Sequence, residues 1–313
     1  MKFFSRRRLT QFFFALLANA NGATFWQKGL YRGSLKGVCF PGLNCYSCPL
    51  ALFACPLGSL QQALASFKAL GWQAFSALSY VLGYFFLYGL LLGRIICGWV
   101  CPFGLLQELL FRIPSPKKVL PSFLKYFKYV ALFLLVLFLP LFWVGATGYG
   151  KVWFCRLVCP AGTLEAGIFN LLLRPELRAL VKGLFFLKLS FLGLIILLCV
   201  FYFRFFCVVL CPLGLIYGFF NRISLVKLNW RGEDCLNCGL CRKVCPLNLK
   251  IPEEINGCEC IRCLNCLKAC PTHGIGINLS LTPAGKFDLH TTFVKSEVCA
   301  KTEGHRTNSD RLK

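Results

Sequence analysis

Histidine is scarce in this chain, and the positions of the few histidines exclude a haem site inside a membrane. Only three histidines occur among the 313 residues. They are His273, His290 and His305, and none lies in a long apolar run. A haem held inside a membrane by two histidines therefore has no ligands here. The sequence also lacks the C-x-x-C-H motif that attaches a haem covalently.

Acidic residues and nucleotide-binding motifs are also few. The chain has 12 Asp and Glu against 35 Lys and Arg, a formal net charge of +23. The basic residues lie in short segments beside apolar runs, which is typical of membrane loops rather than of a nucleic-acid surface. We therefore expect no nucleic-acid partner. Neither a Walker A motif nor a G-x-G-x-x-G motif in a strand–helix context occurs, so flavin and ATP sites lack support.

What the chain does have is long stretches without charge, and 57% of its residues are hydrophobic. Residues 74–93 and 129–146 contain no charged residue, and residues 184–203 contain only Lys188. Each run has the length of a helix that crosses a lipid bilayer. Residues 9–26 form a weaker fourth candidate. The sequence thus predicts a mainly α membrane protein with about four transmembrane helices within residues 1–226.

The N-terminal segment has a basic start and an apolar stretch, as signal peptides do, but no clear cleavage site follows. We expect an uncleaved first helix that begins on the inner side. Four alternating spans then place residues 27–73 and 147–183 outside and residues 94–128 inside. The distribution of Lys and Arg supports this orientation modestly. Everything after Arg204 would face the cytoplasm, where thiols stay reduced.

Eight of the 21 cysteines form two copies of the motif C-x2-C-x2-C-x3-C-P. In proteins with two [4Fe–4S] clusters, three close cysteines of this motif bind one cluster and the fourth binds the other. Zinc sites and disulfide frameworks do not explain two identical frames. The motif predicts two crossed ligand sets: Cys235, Cys238, Cys241 and Cys270 for one cluster, and Cys260, Cys263, Cys266 and Cys245 for the second.

These motifs define the second part of the chain. We expect residues 227–278 to form a small α+β ferredoxin domain of the bacterial two-cluster type. Residues 279–313 are polar and lack apolar periodicity, which predicts a disordered tail.

A second cysteine pattern, C-P-x-G, occurs four times, with its cysteines at Cys55, Cys101, Cys159 and Cys211. Proline suits the first position of a helix, so the preceding cysteine sits at the positive end of the helix dipole, which favours a thiolate. The glycine allows another group to approach closely. The two copies that follow Arg94 and Arg204 match most closely.

The expected topology sorts these cysteines and their neighbours by side. The inner set is Cys97, Cys101, Cys207 and Cys211. The outer set is Cys45, Cys48, Cys55, Cys155 and Cys159, one more cysteine than a cluster needs. For both sets, one or two further iron–sulfur clusters, redox-active dithiols and small apolar fillers remain open alternatives.

Five other residues near these frames have simpler interpretations. Cys39, Cys199 and Cys258 fit no frame and are interpreted as packing residues. Glu108 and Glu165 each follow a C-P-x-G frame. They are either proton acceptors near a quinone or solvated carboxylates at helix ends. We predict no catalytic residue.

The segment C-G-W-V-C-P-F-G-L-L-Q-E, the later C-x3-C-P pairs and the double C-terminal motif together resemble the membrane-bound polyferredoxins. This group includes the NapH-type quinol-oxidising subunits of periplasmic nitrate reductase systems, and the resemblance covers residues 9–278. It implies electron exchange, in a bacterial cell membrane, between the quinone pool and an iron–sulfur or haem partner. The added outer cysteine set departs from the simplest members and favours a transmembrane electron relay.

Three functions therefore compete. The sequence favours an electron-transfer subunit, rather than a stand-alone enzyme, that links membrane quinone or an outer redox partner protein to cytoplasmic clusters. A redox-sensing or maturation factor for a respiratory enzyme is the alternative, and a redox-driven transporter is the third.

Overall fold

The computed structural model describes residues 6–27 and 29–279, and this part of the chain is helical apart from one small sheet. Its first α-helices are α1 Arg6–Ala18, α2 Thr24–Gln27, α3 Pro56–Ala65, α4 Phe67–Leu70, α5 Trp72–Leu92, α6 Ile95–Trp99, α7 Pro102–Leu110, α8 Phe127–Val130 and α9 Leu139–Phe142. There follow α10 Trp153–Leu157, α11 Phe169–Leu173, α12 Gly183–Phe201, α13 Phe205–Val209, α14 Pro212–Phe220, α15 Leu240–Lys243 and α16 Asn265–Ala269. The strands are β1 Val226–Trp230 and β2 Ile275–Leu279.

Shorter turns of other helix types complete the helical part. The 3-10 helices are Ser34–Gly37, Ser122–Tyr126 and Pro175–Leu180, and the π-helical turns are Ala131–Phe138 and Gly162–Ile168. The π-helical segments continue into α9 and α11 without a break.

Three helices are long and apolar enough to cross a membrane: α5, the continuous helix Ser122–Phe142, and α12. Large side chains such as Phe86, Phe133 and Leu187 are 56%, 67% and 59% exposed on them. Exposed apolar surface of this extent suits a lipid environment. The middle helix begins before the predicted residue 129 because the charged Lys128 is buried and paired with Glu259.

The predicted span at residues 9–26 is shorter in the structure. α1 has 13 residues, which is about 20 Å at 1.5 Å per residue and less than the roughly 30 Å of a hydrocarbon core. The chain turns after Ala18, where the Asn21 amide donates to Thr24 Oγ1 at 2.6 Å and to Pro49 O at 2.8 Å. Among the described residues three helices, not four, therefore have the length of a span.

The C-P-x-G segments begin short helices that start inside the protein. Proline occupies the first turn of α3, α7 and α14, as predicted, and the N-caps Cys55, Cys101 and Cys211 are buried. These helices have 10, 9 and 9 residues, roughly 15 Å, or half the thickness of a hydrocarbon core. Irregular backbone at such depth is tolerated because it is enclosed by protein.

Two apolar cores organise the chain. The larger core joins the spans and the half-length helices and contains cysteines of both the inner and the outer set. A smaller core, with Leu228, Ile251, Ile255 and Leu267 among its members, lies in the C-terminal segment. There β1 pairs antiparallel with β2, from Val226 opposite Leu279 to Trp230 opposite Ile275, so the sheet joins the two ends of residues 227–278. The predicted tail, apart from Leu279 in β2, lies outside the described residues.

The C-terminal segment packs on the membrane part of the chain near α6 and the end of α14. Arg262 donates to Asn221 O at 2.5 Å and to Ser224 Oγ at 2.8 Å, and it is almost fully buried. Trp99 Nε1 donates to Arg262 O at 3.0 Å. Gly98 packs directly on the carbonyl oxygen of Ile261, so a side chain at residue 98 would collide with it.

Candidate metal centres

Two cavities in the C-terminal segment are lined by the cysteines of the two motifs. The first, of about 200 Å³, is lined by Cys235, Cys238, Cys241 and Cys270 together with apolar residues. The second is lined by Cys245, Cys260, Cys263 and Cys266. Each cavity thus receives three cysteines from one motif and the fourth from the other. This is the grouping that the motif spacing predicts, and it arises because α15 and α16 lie side by side.

The backbone around both cavities repeats an unusual conformation. Asn237 and Gly239 have φ of 49° and 68°, and Arg262 and Leu264, at the same positions of the second motif, have φ of 48° and 63°. Left-handed backbone next to right-handed backbone turns successive N–H groups to one side and forms an anion-binding concavity found at iron–sulfur sites. A leucine in this conformation costs about 1–2 kcal/mol. The motif keeps this loop shape despite that cost.

Burial also affects the thiols of the second cavity. It raises the pKa of Cys260 to about 11 and the pKa of Cys266 to about 12. Without a metal these side chains would stay protonated at neutral pH. A bound metal displaces the proton, because the thiolate is the ligand form.

The inner set is gathered in the membrane core. Cys97, Cys101, Cys207 and Cys211 are all less than 9% exposed. Their sulfur atoms lie close enough to interact electrostatically. The four thiols come from two loops, α6–α7 and α13–α14, that are related by the sequence repeat.

Two buried arginines cross between these loops. Arg94 Nη2 donates to Cys207 O at 3.3 Å, and Arg204 Nη1 donates to Cys97 O at 2.6 Å. Each arginine thus precedes one copy of the repeat and donates a hydrogen bond to the backbone of the other copy. A Cβ at Gly104 or Gly214 would stand 3.2 Å from the opposite guanidinium. The sequence predicted that another backbone or a cluster approaches these glycines, whereas the structure places a guanidinium there.

Each of these arginines also forms an ion pair with a glutamate. Arg204 Nη2 lies 2.6 Å from Glu108, which Arg7 also binds through two contacts of 2.7 Å. Glu108 is only 3% exposed, so its interpretation as a solvated helix-end carboxylate is wrong. Arg94 pairs with Glu259 at 3.1 Å, and Lys128 binds the same carboxylate. Burial acts to raise the pKa of Glu259, but Arg94 and Lys128 lower it overall.

The inner set is therefore surrounded by more positive than negative side chains. Cations outnumber carboxylates in this region: Arg7, Arg8, Arg94, Lys128 and Arg204 surround Glu108 and Glu259. Buried charge of one sign is costly unless a partner balances it. A [4Fe–4S] cluster with four thiolates carries a net charge of about −2 in its oxidised form. The charge excess fits such a group.

The outer set resolves into four cysteines and one that stands apart. Cys45 and Cys159 each place Sγ 3.8 Å from the point where a Cβ of Gly162 would stand. Cys55 and Cys155 interact electrostatically with these two. Cys48 instead lies 3.9 Å from the side-chain oxygen of Asn19. The surplus cysteine that the sequence left unassigned is therefore Cys48.

Comparison of the four C-P-x-G segments explains why the outer set needs Cys45. Ala51 stands four residues before Cys55, where the other three copies have cysteine. The loop that carries Cys45 supplies the missing thiol from another direction. The amide N–H of Cys45 donates to Glu165 Oε2 at 2.6 Å, so the half-buried Glu165 anchors this loop.

The two sets are neighbours and are not separated by a membrane thickness. A Cβ at Gly42 would lie 2.9 Å from Cys101 Cα, although the sequence places these residues in loops on opposite faces. The buried Tyr217 interacts electrostatically with both Cys97 and Cys55. Residues 39–55 therefore reach into the core, and both thiol sets lie within it.

Buried polar atoms around these sets support a bound group. The side chains of Asn44 and Tyr217 are 0% exposed, and neither Asn44 Nδ2 nor Tyr217 OH has a hydrogen-bond partner among the described residues. Leaving a buried donor unpaired costs about 1–3 kcal/mol. The positive N-terminal ends of α3, α7 and α14 also meet here, which favours an anion. A cluster offers both sulfur acceptors and negative charge.

The same side chains are not arranged for a single ion. Among the described residues, no three His, Cys, Asp or Glu side chains form a group that could hold one metal ion. Each iron of a [4Fe–4S] cube takes one thiolate, so the thiols around it stand farther apart than around a lone ion. No disulfide links the described cysteines.

Three cysteines of the described residues lie outside the frames and belong to none of the sets. Cys39 Sγ lies 3.7 Å from Ser59 Oγ, and Cys199 Sγ lies 3.6 Å from Gln107 Oε1. The Cys258 carbonyl accepts a hydrogen bond from Arg94. The sequence interpretation overlooked Gln61 and Gln107, which contact cysteine sulfur atoms. Their signal is visible, since each stands six residues after the cysteine of a C-P-x-G frame.

Comparison with known proteins agrees with this geometry. A model described as a 4Fe-4S binding domain matches three times, at residues 73–121, 130–177 and 184–231. These matches contain the cysteine pairs Cys97 and Cys101, Cys155 and Cys159, and Cys207 and Cys211. They lie in the membrane part of the chain and do not reach the C-terminal motifs. No solved structure matches the chain.

Curated relatives extend the similarity. Two uncharacterised proteins of Methanocaldococcus jannaschii are 32% and 33% identical over 53% of this chain, and the matches cover 57% and 64% of those proteins. The methylamine utilization ferredoxin-type protein MauN of Paracoccus denitrificans is 48% identical over 44 residues, 14% of this chain and 16% of MauN. YccM of Escherichia coli, named for electron transport, is 24% identical over 55% of this chain and 46% of its own length. The chain spans about half the length of the longer-matching relatives.

The thiol sets, the repeated domain match and these relatives define a class of protein. The chain resembles the 4Fe–4S polyferredoxins: three of its segments match a 4Fe-4S binding domain, and three of its helices are long and apolar enough to span a membrane.

Proposed function

We propose that this chain is a transmembrane electron relay in a bacterial cell membrane. It would pass electrons between the membrane quinone pool, or a redox partner protein at the outer face, and iron–sulfur clusters at the cytoplasmic face. A [4Fe–4S] cluster supplies one-electron chemistry when bound. The chain's own residues supply the ligands, the spacing and the shielding from water.

The observation that carries this proposal is the continuity of four thiol sets. Gly42, next to the outer set, packs on Cys101 of the inner set. Gly98, between Cys97 and Cys101, packs on Ile261 beside Cys260. The two C-terminal cavities are neighbours that exchange their fourth cysteine. An uninterrupted series of sites through a membrane protein suits electron transfer and has no evident use in regulation alone.

We assign one cluster to each set. The C-terminal assignments are Cys235, Cys238, Cys241 and Cys270, and Cys260, Cys263, Cys266 and Cys245. The inner assignment is Cys97, Cys101, Cys207 and Cys211, and the outer assignment is Cys45, Cys55, Cys155 and Cys159. Residues 227–278 then act as a two-cluster ferredoxin domain.

A cavity beside the outer set offers a place for a quinone. Its volume is about 490 Å³, and Leu171, Leu177, Leu184 and Phe185 contribute apolar walls. This volume lies within the roughly 300–1,000 Å³ of small-molecule sites. Asn170, Arg156, Lys182 and Lys188 supply donors suited to the carbonyl oxygens of a quinone ring. Lys188 also donates to Cys155 O at 3.3 Å, which links the cavity to a proposed ligand.

Redox titration in liposomes tests the relay. Anaerobically purified full-length protein with its iron and sulfide content measured would be mixed with a short-chain naphthoquinol and with the matching quinone. We expect one of the two to change the oxidation state of the clusters, and Lys182→Met to slow that reaction. Protein loaded with four clusters that exchanges electrons with neither form would overturn the quinone assignment. Purified protein that holds fewer than four clusters per chain would overturn the four-site assignment.

The orientation has its own test. A cytoplasm-dependent reporter fused after the C-terminal residue should be active, because the basic inner loops place that end in the cytoplasm. Activity of a periplasm-dependent reporter at the same position would contradict the proposed orientation.

A further inference from the structure

Gln107 lies entirely inside the membrane core and touches the inner thiol set. Its Nε2 lies 2.9 Å from Cys207 Sγ and 3.3 Å from Phe103 O. Its Oε1 accepts from the Cys207 N–H at 3.4 Å. The side chain is 0% exposed, so water does not compete for these bonds. One amide therefore holds both the backbone and the sulfur of a single cysteine.

Gln61 repeats this arrangement at the outer set. Its Nε2 lies 3.2 Å from Cys155 Sγ and 3.4 Å from Leu57 O. Its Oε1 accepts from the Phe154 N–H at 3.0 Å. Gln61 is also 0% exposed. Both glutamines stand six residues after a helix-capping cysteine, and each reaches the first cysteine of a C-x3-C-P frame elsewhere in the chain.

The direction of each amide is fixed by its neighbours. In both cases one end faces a backbone carbonyl, which can only accept, and the other faces a backbone N–H, which can only donate. The NH2 group must therefore point toward the carbonyl and the sulfur. A reversed amide would place two acceptors against each other and two donors against each other. The N–H to sulfur contact follows from this pairing.

We propose that Gln61 and Gln107 are paired positioning residues, each donating a hydrogen bond to one thiolate ligand of a membrane-embedded cluster and thereby raising its reduction potential. This inference rests on the proposed function, because it needs clusters at the outer and inner sets. Hydrogen bonds to cluster sulfurs are a recognised control of potential. The bond stabilises the reduced cluster more, since that form carries more negative charge. The duplicated geometry would tune the two centres separately.

Potentiometric titration of single variants tests this role. Gln107→Leu removes the donor at similar size, and we expect the inner centre to become harder to reduce by about tenfold in its redox equilibrium. That change is 59 mV for a one-electron couple. The outer centre should keep its potential. Gln61→Leu should show the reverse pattern, and the exposed neighbour Gln62→Leu should move neither.

Iron content separates the possible failures. If wild-type protein holds only the iron of two clusters, the membrane centres are absent and the proposed function fails first. If all four clusters are present but both leucine variants leave every potential unchanged, the glutamine inference is overturned while the relay remains. A shift of both centres by either variant would also contradict separate tuning.

A second measurement needs no destabilising change. Wild-type protein labelled with nitrogen-15 at the glutamine side-chain amide would be reduced stepwise and examined by pulsed electron paramagnetic resonance. We expect a coupling between this nitrogen and each membrane-embedded centre, because each amide donates to a ligand sulfur. No coupling at either centre in fully loaded protein would overturn the inference. Gln107→Leu protein with the same label is the control, and it should lose the coupling at the inner centre and keep the coupling at the outer centre.

Discussion

The membrane core and the C-terminal segment both gather cysteines, but they do so by different means. In the C-terminal segment each cavity takes three cysteines from one eleven-residue frame, and short helices and loops hold them. In the membrane core each set is assembled from helix ends that are about a hundred residues apart in sequence. Cys238 is exposed and most of its neighbours are half-buried, whereas the inner thiols are buried.

The difference teaches how each kind of site is stabilised. A compact motif fixes ligand positions through covalent spacing and a repeated left-handed backbone. A dispersed site needs tertiary support, which here consists of crossed arginines, two carboxylates and two buried glutamines. We therefore expect the loss of a supporting ion pair in the core to lower the stability of the whole fold, and substitutions around the C-terminal sites to act locally.

The most drastic test removes ligands from the core. Changing Cys97 and Cys207 together to serine should eliminate one cluster's worth of iron, because two of four thiolates are lost. The spectroscopic signals of the C-terminal clusters should survive. Iron and acid-labile sulfide per chain, measured anaerobically, check this expectation.

Cys48→Ser is the matched control for the core ligands. Cys48 lies beside Asn19 and apart from the other outer cysteines, so iron content should not change. A full cluster lost from Cys48→Ser, with none lost from Cys45→Ser, would reverse the assignment of the outer set.

A single ligand change tests the crossing in the C-terminal segment. Cys245→Ser should damage the cluster bound by Cys260, Cys263 and Cys266, although Cys245 belongs to the other motif. Electron paramagnetic resonance of the reduced protein should show loss of one of the two C-terminal signals. A matching Cys241→Ser variant should affect the other signal. Damage by both variants to the same cluster would contradict the crossed sets.

Removing a crossing arginine tests the support of the core. Arg204→Leu leaves Glu108 with one fewer buried partner and frees the Cys97 carbonyl. Breaking a buried ion pair costs about 3–5 kcal/mol, so the free energy of unfolding should fall by that amount. Thermal or denaturant unfolding in detergent measures it. Arg222→Leu, at an exposed position of the same region, should change stability little. Equal effects of the two would remove the structural role assigned to Arg204.

The smallest expected effect concerns the contact between the two regions. Glu259→Gln weakens the bonds to Arg94 and Lys128 that hold the C-terminal segment on the membrane core. Glutamine keeps an oxygen acceptor for these cations, so docking should weaken by about 1.5–3 kcal/mol, the contribution of one hydrogen bond to a charged group, without loss of the fold. Limited proteolysis should cut the segment faster.

The exposed pair Arg242–Glu253 provides the control for this contact. Its carboxylate is 63% exposed, and such pairs contribute roughly 0–1 kcal/mol. Glu253→Gln should therefore leave proteolysis unchanged. Faster cleavage of Glu253→Gln than of Glu259→Gln would show that the docking contact lies elsewhere.

Some expectations about charged residues were wrong because a partner distant in the sequence allows the charge to be buried. Lys128 was taken as the end of an apolar run because it is charged, yet Glu259, 131 residues away, allows it to be buried. For Glu108 and Glu165 the sequence left open a proton acceptor and a solvated carboxylate, but Arg7 and Arg204 bury the first and the Cys45 N–H binds the second. The partner that decides each case is distant in the chain, so local pattern cannot reveal it.

The sequence by itself determined what depends on short covalent spacing and on composition. The three strongest apolar runs predicted helices long enough to span a membrane, whereas the fourth predicted span was wrong. The Cys-Pro steps predicted helix starts, and the cysteine frames predicted the crossed C-terminal sets. Only the tertiary structure decided which four of the five outer cysteines meet, that the outer and inner sets are neighbours, and that Gln61 and Gln107 reach sulfur. Spacing along a helix is fixed by bonded geometry, whereas these meetings depend on how helices from distant segments pack and balance buried charge.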